Sequence, residues 1–579
     1  MHPPAGRTQA HGRRSDAWFA DPGKNGLIAR SHLQALGLRE VQGRAVVGIC
    51  NTASQLNPCN AHLGQLATAV RRGIEAAGGV ALEFPVMSLG EPYLRPTSML
   101  YRNLAAMEIE ETLRANPLDG VVALTGCDKT TPAALMGIAS VDLPAIVLTG
   151  GPMLTGRFEG RTVGSGTDIW RMSEAYREGQ VDQATLRRFE GCLTRSVGHC
   201  MTMGTASTMA CVTAALGMQD PAAAALAAVD TRRAILAEQA GARIVELIAT
   251  DQRPSAIMTP AALRNAVRVN AAIGGSTNAV LHLLAVAGRL GVPLDLDTID
   301  RIGAEVPLLV DLMPSGTHVM EDLADAGGLP VVLRELGELL EDSPTVLGTS
   351  LAAGTAAATN HRPDVVRGLA DPIQPAGSGT AVLRGSLAPD GAVVKVSAAS
   401  PALLRTSGPA LVFDAIEDYL EVVDDPDLPV TAETILVVRN LGPRGYPGMP
   451  ELGNLPIPKR LLDAGIHDLV RITDARMSGT AFGTCVLHVA PESAAGGPLA
   501  MVVTGDTIHL DVPARRLDLA ISPDELARRT RAWSPPPAPR GADRGWTRLY
   551  VEQVLQADRG VDLAFLVGSS GHAVPKAAF

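Results

Sequence analysis

Short, wholly apolar runs alternate with longer stretches of helical periodicity along the first third of the chain. Ala45 to Cys50 reads as a buried strand, followed by a loop to Cys59 and a helix over about 61–77. Val80 to Phe84 and Gly120 to Leu124 repeat the strand signature, with a helix over Glu108 to Ala115 between them. Thr131 to Ala139 is then helical and Ala145 to Leu148 again strand-like. Strands alternating with helices predict a parallel, doubly wound sheet. Ligands of such sheets bind where strands end and helices begin. Cys59, Cys127, Asp128 and Lys129 all fall just after predicted strands.

The middle of the chain is mostly helical, with segments over Thr205 to Leu216, Thr231 to Ile248, Ala279 to Ala287 and Leu329 to Leu340. Past Asn360 the pattern changes to short strands separated by Gly, Pro and Asp. These are Thr380 to Leu383, Ala392 to Lys395, Ala410 to Phe413, Thr434 to Val438, Leu469 to Ile472, Val486 to Val489, Leu499 to Val503 and Thr507 to Leu510. That spacing predicts an antiparallel β-domain or barrel. The expected organisation is an irregular N-terminal arm over 1–40 leading into a first helix, an α/β domain over 41–365, and a β-rich C-terminal domain over 366–579. Ser534-Pro535-Pro536-Pro537 marks a late linker before a charged terminal segment.

With 579 residues the chain is too long for one core. Its net charge of −10 and lack of a basic run argue against nucleic acid as a partner. No apolar stretch approaches the roughly 20 residues of a membrane span, and Met1 to Asp16 has no apolar segment typical of a secretory signal. Seven cysteines, an odd count, point to a reducing compartment rather than a disulfide framework. A cytoplasmic protein is expected, acting on a small molecule and forming a homodimer or homotetramer.

Three cysteines stand in polar, turn-forming contexts: Asn57-Pro58-Cys59-Asn60, Gly126-Cys127-Asp128-Lys129 and Gly198-His199-Cys200-Met201. Thiolates select iron–sulfur clusters, zinc or copper. Asp128 and Lys129 add hard-metal candidates on the same turn as Cys127. A soft site and a hard site side by side suggest a metal-dependent lyase; the alternative is three unrelated thiols. Cys50, Cys192, Cys211 and Cys485 sit in strand or helix patterns and read as small buried hydrophobes.

The motifs Thr52-Ala53-Ser54-Gln55-Leu56-Asn57-Pro58-Cys59-Asn60-Ala61-His62-Leu63, Leu124 to Pro132 and Gly198 to Met209 resemble the dihydroxy-acid and sugar-acid dehydratase family. So do Asn270 to Asn278, Gly445 to Glu451 and Asp474 to Thr480. The likeness runs in order from about residue 15 to the end. Leu56-Asn57-Pro58-Cys59 and Ala228-Val229-Asp230-Thr231-Arg232-Arg233 are similar to the sugar-acid branch, that of L-arabinonate and D-xylonate dehydratases. The resemblance implies dehydration of a sugar acid to its 2-keto-3-deoxy acid with a [2Fe–2S] cluster and Mg²⁺; the alternative is the dihydroxy-acid dehydratase of branched-chain amino-acid synthesis. By position, Cys59, Cys127 and Cys200 match the cluster ligands. Glu91, Asp128, Lys129 and Glu451 match the Mg²⁺ site, with Lys129 as a carbamate. Ser478 matches the base and Thr480 a substrate contact. The chain departs from the family pattern at Ala53 and Gln55, where a tryptophan and a glutamate are common, and at His199, which replaces a smaller residue.

The chemistry of these residue types agrees with those roles but does not compel them. Breaking a C3–OH bond calls for a Lewis acid with an open position, so three cysteines serve better than four. Mg²⁺ takes oxygen ligands, which suits Glu91, Asp128 and Glu451. A lysine ligates a cation only after burial has freed its amine to take up CO₂; otherwise Lys129 reads as the partner of Asp128 or Glu91 in a salt bridge. On local sequence Ser478 reads as a turn-capping serine, and as a base it would need a nearby cation. Gly274-Gly275-Ser276-Thr277-Asn278 opens a helix and either cradles a carboxylate or caps that helix. A non-catalytic cluster protein would have no use for Ser478 or the three acids.

Overall fold

The computed structural model describes residues 12–575. Four parallel strands form the first sheet: β1 (Val46–Asn51), β2 (Val80–Pro85), β3 (Gly120–Thr125) and β4 (Ala145–Thr149), in the order β2-β1-β3-β4. Helices Leu63–Ala76 and Arg232–Ala249 cover one face, and Arg102–Ala115 and Thr130–Val141 the other. Residues of β1, β3 and β4 are buried throughout, because a sheet covered on both faces has no solvent side. The chain leaves β1 in one direction and returns at β3 to build in the other. The gap between β1 and β3 is therefore the switch point where such sheets open a crevice.

The expected arm holds more order than its sequence suggests. Lys24–Ala35 is a helix within it, and Ser15 anchors the arm to Asp119 through its N–H (2.8 Å) and Oγ (2.7 Å). Residues 1–11 of the expected arm lie outside the described residues. The helix predicted over Glu108 to Ala115 begins earlier, at Arg102, and Leu329–Leu336 ends in a separate 3₁₀ turn over Gly337–Leu339.

The second half is barrel-like, as expected, but its sheet is mixed rather than antiparallel throughout. Its strands are β5 (Thr380–Leu383), β6 (Gly391–Lys395), β7 (Arg405–Phe413), β8 (Ile435–Val438), β9 (Arg471–Thr473), β10 (Cys485–Ala490), β11 (Thr507–Asp511) and β12 (Arg516–Leu519). They follow the order β12-β11-β7-β8-β9-β10-β6-β5, and the central run β7-β8-β9-β10 is parallel. Parallel neighbours need crossover connections. Those between β7 and β8 and between β8 and β9 carry the short helices Ile416–Val422 and Lys459–Asp463. Their few turns were too short to show a helical period among Gly, Pro and Asp. The sheet nearly closes through Arg384, whose N–H donates to Arg515 O (3.0 Å) and whose carbonyl accepts from Leu517 N (2.9 Å). Leu499 to Val503, expected as a strand, is a 3₁₀ turn over Pro498–Met501.

The two halves share a core. The large apolar cluster of the first half takes in Val382, Val393, Met477, Ala481, Cys485 and Leu487 from the second. The charged terminal segment folds back too: Trp546 Nε1 donates to Leu100 O (3.0 Å), and the buried Arg102 donates to the carbonyls of Gly560 (2.9 Å) and Val561 (2.8 Å). No helix among the described residues is long and apolar enough to cross a membrane.

Candidate active site at the domain seam

Cys59 follows β1 and Cys127 follows β3, so the first two motif cysteines flank the switch point. Their loops touch: a Cβ at Gly126 would lie 2.4 Å from Asn60 Oδ1 and 3.1 Å from Cys59 O, so only glycine fits. Cys200 arrives beside the end of β4, where His199 N donates to Gly151 O (3.0 Å) and His199 O accepts from Met153 N (2.8 Å). The Cys59 thiol is affected by the other two. A hydrogen bond with Cys127 is the largest cause of the raised pKa of Cys59, followed by burial and the nearby Cys200 and Asp128. Burial and then Asp128 push the Cys200 thiol up to about 12. Cys50, Cys211 and Cys485 are buried apart in strands and helix; Cys192 is only half-buried, contrary to expectation.

Beside the thiols stands a cluster of charge. The Lys129 ammonium, fully buried at the start of helix Thr130–Val141, lies 3.1 Å from Glu451 Oε1, 3.4 Å from Asp128 Oδ2 and 3.7 Å from Glu91 Oε2. Burial works to lower the Lys129 pKa, but Glu451 and Asp128 outweigh it, so the amine is held above its ordinary range. Glu91 moves the other way. Lys129, Arg476, Ser98 and Thr97 overcome its burial and hold it below the ordinary carboxylate range. The structure thus brings Glu91, Asp128, Lys129 and Glu451 together from both halves, with Lys129 in the ion-paired state. Among the described residues no three His, Cys, Asp or Glu side chains gather as they would around one ion; the ammonium occupies the middle of the acids.

Ser478 and Thr480 lie on the loop after β9, their hydroxyls 2.9 Å apart. Thr480 N also donates to Ser478 Oγ (3.3 Å). This loop docks onto the first half. Thr167 Oγ1 donates to Thr480 O (2.8 Å), and a Cβ at Gly479 would lie 2.6 Å from Thr205 N and 2.9 Å from Gly204 C. Asn278, at the start of helix Asn278–Leu290, ties the loop to the acids. Its Nδ2 reaches Glu451 Oε1 (2.9 Å), Thr205 Oγ1 (3.0 Å) and Met477 O (3.2 Å). Within the Gly274–Asn278 segment the asparagine side chain thus reaches a carboxylate, while Ser276 Oγ accepts from Asn278 N (3.1 Å) at the helix start. A cavity of about 320 Å³ adjoins the loop, lined by Trp170, Arg177, Arg471 and Phe482 but by neither hydroxyl nor the acids.

The sequence assigned no role to Arg476, Thr97 or Ser98, and named Asn278 only within its segment; all four hold the acids. Arg476 and Asn278 lie inside motifs, but a buried strut and a solvated surface residue look alike in sequence. At the departures, Gln55 is exposed and Ala53 half-buried. His199 is buried with Nδ1 against Cys200 O (3.0 Å), and burial pushes its pKa down to about 3, so it is neutral beside the thiols.

A two-domain protein with thiols, acids and paired hydroxyls meeting at its seam has the parts of a lyase. Sequence models of the dihydroxy-acid/6-phosphogluconate dehydratase family match residues 44–354 with the N-terminal domain and 364–561 with the C-terminal domain. The chain belongs to this family of dehydratases. It is 54% identical over 572 residues to the L-arabonate dehydratase of Azospirillum brasilense, covering 97% of this chain and 98% of that one. It is 48% identical to the 6-deoxy-6-sulfo-D-gluconate dehydratase of Pseudomonas putida (97% of each chain). With the dihydroxy-acid dehydratase of Moorella thermoacetica it shares 39% identity (95% of this chain, all of that one).

Proposed function

We propose that this hydro-lyase dehydrates a sugar acid, such as arabinonate or xylonate, to the 2-keto-3-deoxy acid. The observation that carries the reading is near-full-length similarity to sugar-acid dehydratases, exceeding that to the branched-chain enzyme. The site is chemically suited to the reaction. A proton leaves C2, hydroxide leaves C3 to become water, and the resulting enol tautomerises to the ketone. Ser478 Oγ is the proposed acceptor of the C2 proton. The Thr480 N–H, and its hydroxyl when it donates, can direct two hydrogen bonds at that oxygen and stabilise it as it gains negative charge. Thr480 then also serves as the substrate contact.

The residues fit the implied cofactors by their donor chemistry. Cys59, Cys127 and Cys200 would hold a [2Fe–2S] cluster, and Glu91, Asp128, Glu451 and a carbamate of Lys129 would hold Mg²⁺. When bound, the cluster would supply a Lewis acid for the leaving hydroxyl, and Mg²⁺ would acidify C2. The exchange balances in charge: a carbamate with Mg²⁺ carries the same single net positive charge as the Lys129 ammonium now among the three acids. The total charge among the buried acids would thus stay the same.

The test is freshly reconstituted protein assayed on a panel of pentonates, hexonates and 2,3-dihydroxyisovalerate, with 2-keto acid detected. Turnover on an aldonate, lost with chelator and restored by Mg²⁺, is expected. Turnover on 2,3-dihydroxyisovalerate alone would replace this reading with the branched-chain one. Cys127→Ser should abolish the visible cluster absorption while Cys211→Ser keeps it; the reverse would remove the cluster assignment.

A further inference from the structure

Arg476 is fully buried and spends its guanidinium on three partners. Nη1 donates to Glu451 Oε1 (2.7 Å), Nε to Met449 O (2.6 Å) and Nη2 to Thr97 Oγ1 (3.1 Å). Thr97 in turn donates from the same hydroxyl to Glu91 Oε1 (2.7 Å). An unbroken chain, Glu451–Arg476–Thr97–Glu91, therefore joins two acids that come from opposite halves of the protein. At its far end Ser98 holds the other oxygen of Glu91 through its hydroxyl. At the near end Glu451 Oε1 is filled by Arg476, Asn278 and Lys129, while its Oε2 receives no hydrogen bond among the described residues. Arg476 and Asn278 together thus turn one oxygen of Glu451 inward and leave the other free.

We infer that Arg476 and Thr97 are positioning residues for magnesium, fixing Glu91 and Glu451 at a set separation across the seam. The inference rests on the proposal that these acids hold Mg²⁺. The physical reason is repulsion: carboxylates brought together in a buried site push one another apart unless something clamps them. A guanidinium can do so because its donors lie in a rigid planar fork, which a lysine point charge cannot imitate.

The experiment is calorimetric titration of Mg²⁺ into cluster-loaded protein, as wild type and as Thr97→Val, Thr97→Ser, Arg476→Lys and Arg476→Met. Partners behind metal ligands typically change affinity by about 10–100-fold. Thr97→Val should weaken Mg²⁺ by about tenfold and Thr97→Ser should restore it. Arg476→Met should weaken Mg²⁺ by about a hundredfold, with Arg476→Lys in between. All four should keep the visible cluster absorption, and Thr97→Val should regain kcat as Mg²⁺ is raised, which general damage to the fold would not allow. Should Arg476→Met fail to fold, the Thr97 pair decides. Equal Mg²⁺ affinity in wild type and Thr97→Val overturns the inference alone. A wild type that binds no Mg²⁺ overturns the metal site, and the inference with it.

Discussion

Two single residues carry the sharpest expectations. Ser478→Ala should keep the cluster absorption and Mg²⁺ binding while turnover falls by about 10²–10⁴-fold, the usual cost of a missing general base. A variant keeping more than roughly a tenth of wild-type turnover would move the base elsewhere, and single-turnover kinetics would show it. Lys395, at the end of β6, is fully buried and its Nζ has no hydrogen-bond partner among the described residues. Burial alone pushes its pKa from 10.5 down to about 7. Between those values the unfolded chain binds a proton that the folded chain does not, so stability rises with pH across that window and the penalty is greatest at and below its lower edge. Lys395→Met should therefore stabilise the protein at neutral pH by on the order of a few kcal/mol, read as a raised thermal midpoint, with the gain shrinking toward the upper edge. An equal gain at neutral and alkaline pH would mean that Lys395 is not neutral in the fold. The sequence offered no hint of this lysine's burial, since its strand reads Gly391-Ala392-Val393-Val394-Lys395 with the charge at the end.

Among the elements, the loop from Met477 to Phe482 joins the barrel to the site. Its fit depends on Gly479, whose missing side chain lets the backbone lie against Gly204 and Thr205. Gly479→Ala must push the loop off that surface, displacing both hydroxyls together. A misplacement of about 1 Å costs on the order of a hundredfold in rate. We expect kcat to fall by about that factor while the cluster absorption persists; unchanged kcat would mean that the loop has room to yield. The strands and helices around the first two cysteines were legible from sequence because buried parallel strands are continuous apolar runs and the helices Leu63–Ala76 and Arg102–Ala115 bury one side only. The mixed pairing of the barrel was not legible. Strands β5, β6, β8, β9 and β10 are buried throughout, so no alternation reports which neighbour each takes, whereas β11 and β12 do alternate at the sheet's edge.

At the scale of the whole molecule, the terminal segment closes the structure. Arg289 is fully buried between Asp562 (Nε to Oδ2, 2.6 Å) and Glu110 (Nη1 to Oε2, 3.0 Å). Asp562→Ala should destabilise the protein by on the order of 3 kcal/mol, because it strips a buried cation of its main partner. A thermal midpoint equal to that of the wild type would show that the tail is dispensable. The sequence by itself determined the alternation that makes the first sheet and placed Cys59, Cys127, Asp128 and Lys129 after its strands. Its motifs also marked Cys200, Glu451, Ser478 and Thr480 as candidates, and the family resemblance added Glu91. Only the tertiary structure decided that these groups meet: Glu91 and Glu451 are 360 positions apart, and local pattern carries no information about contacts at such separations. It also decided that Lys129 sits ion-paired among acids and that Arg476, Asn278 and Thr97 hold those acids. A side chain's partners depend on what the fold brings beside it, and the chain's own neighbours do not record that.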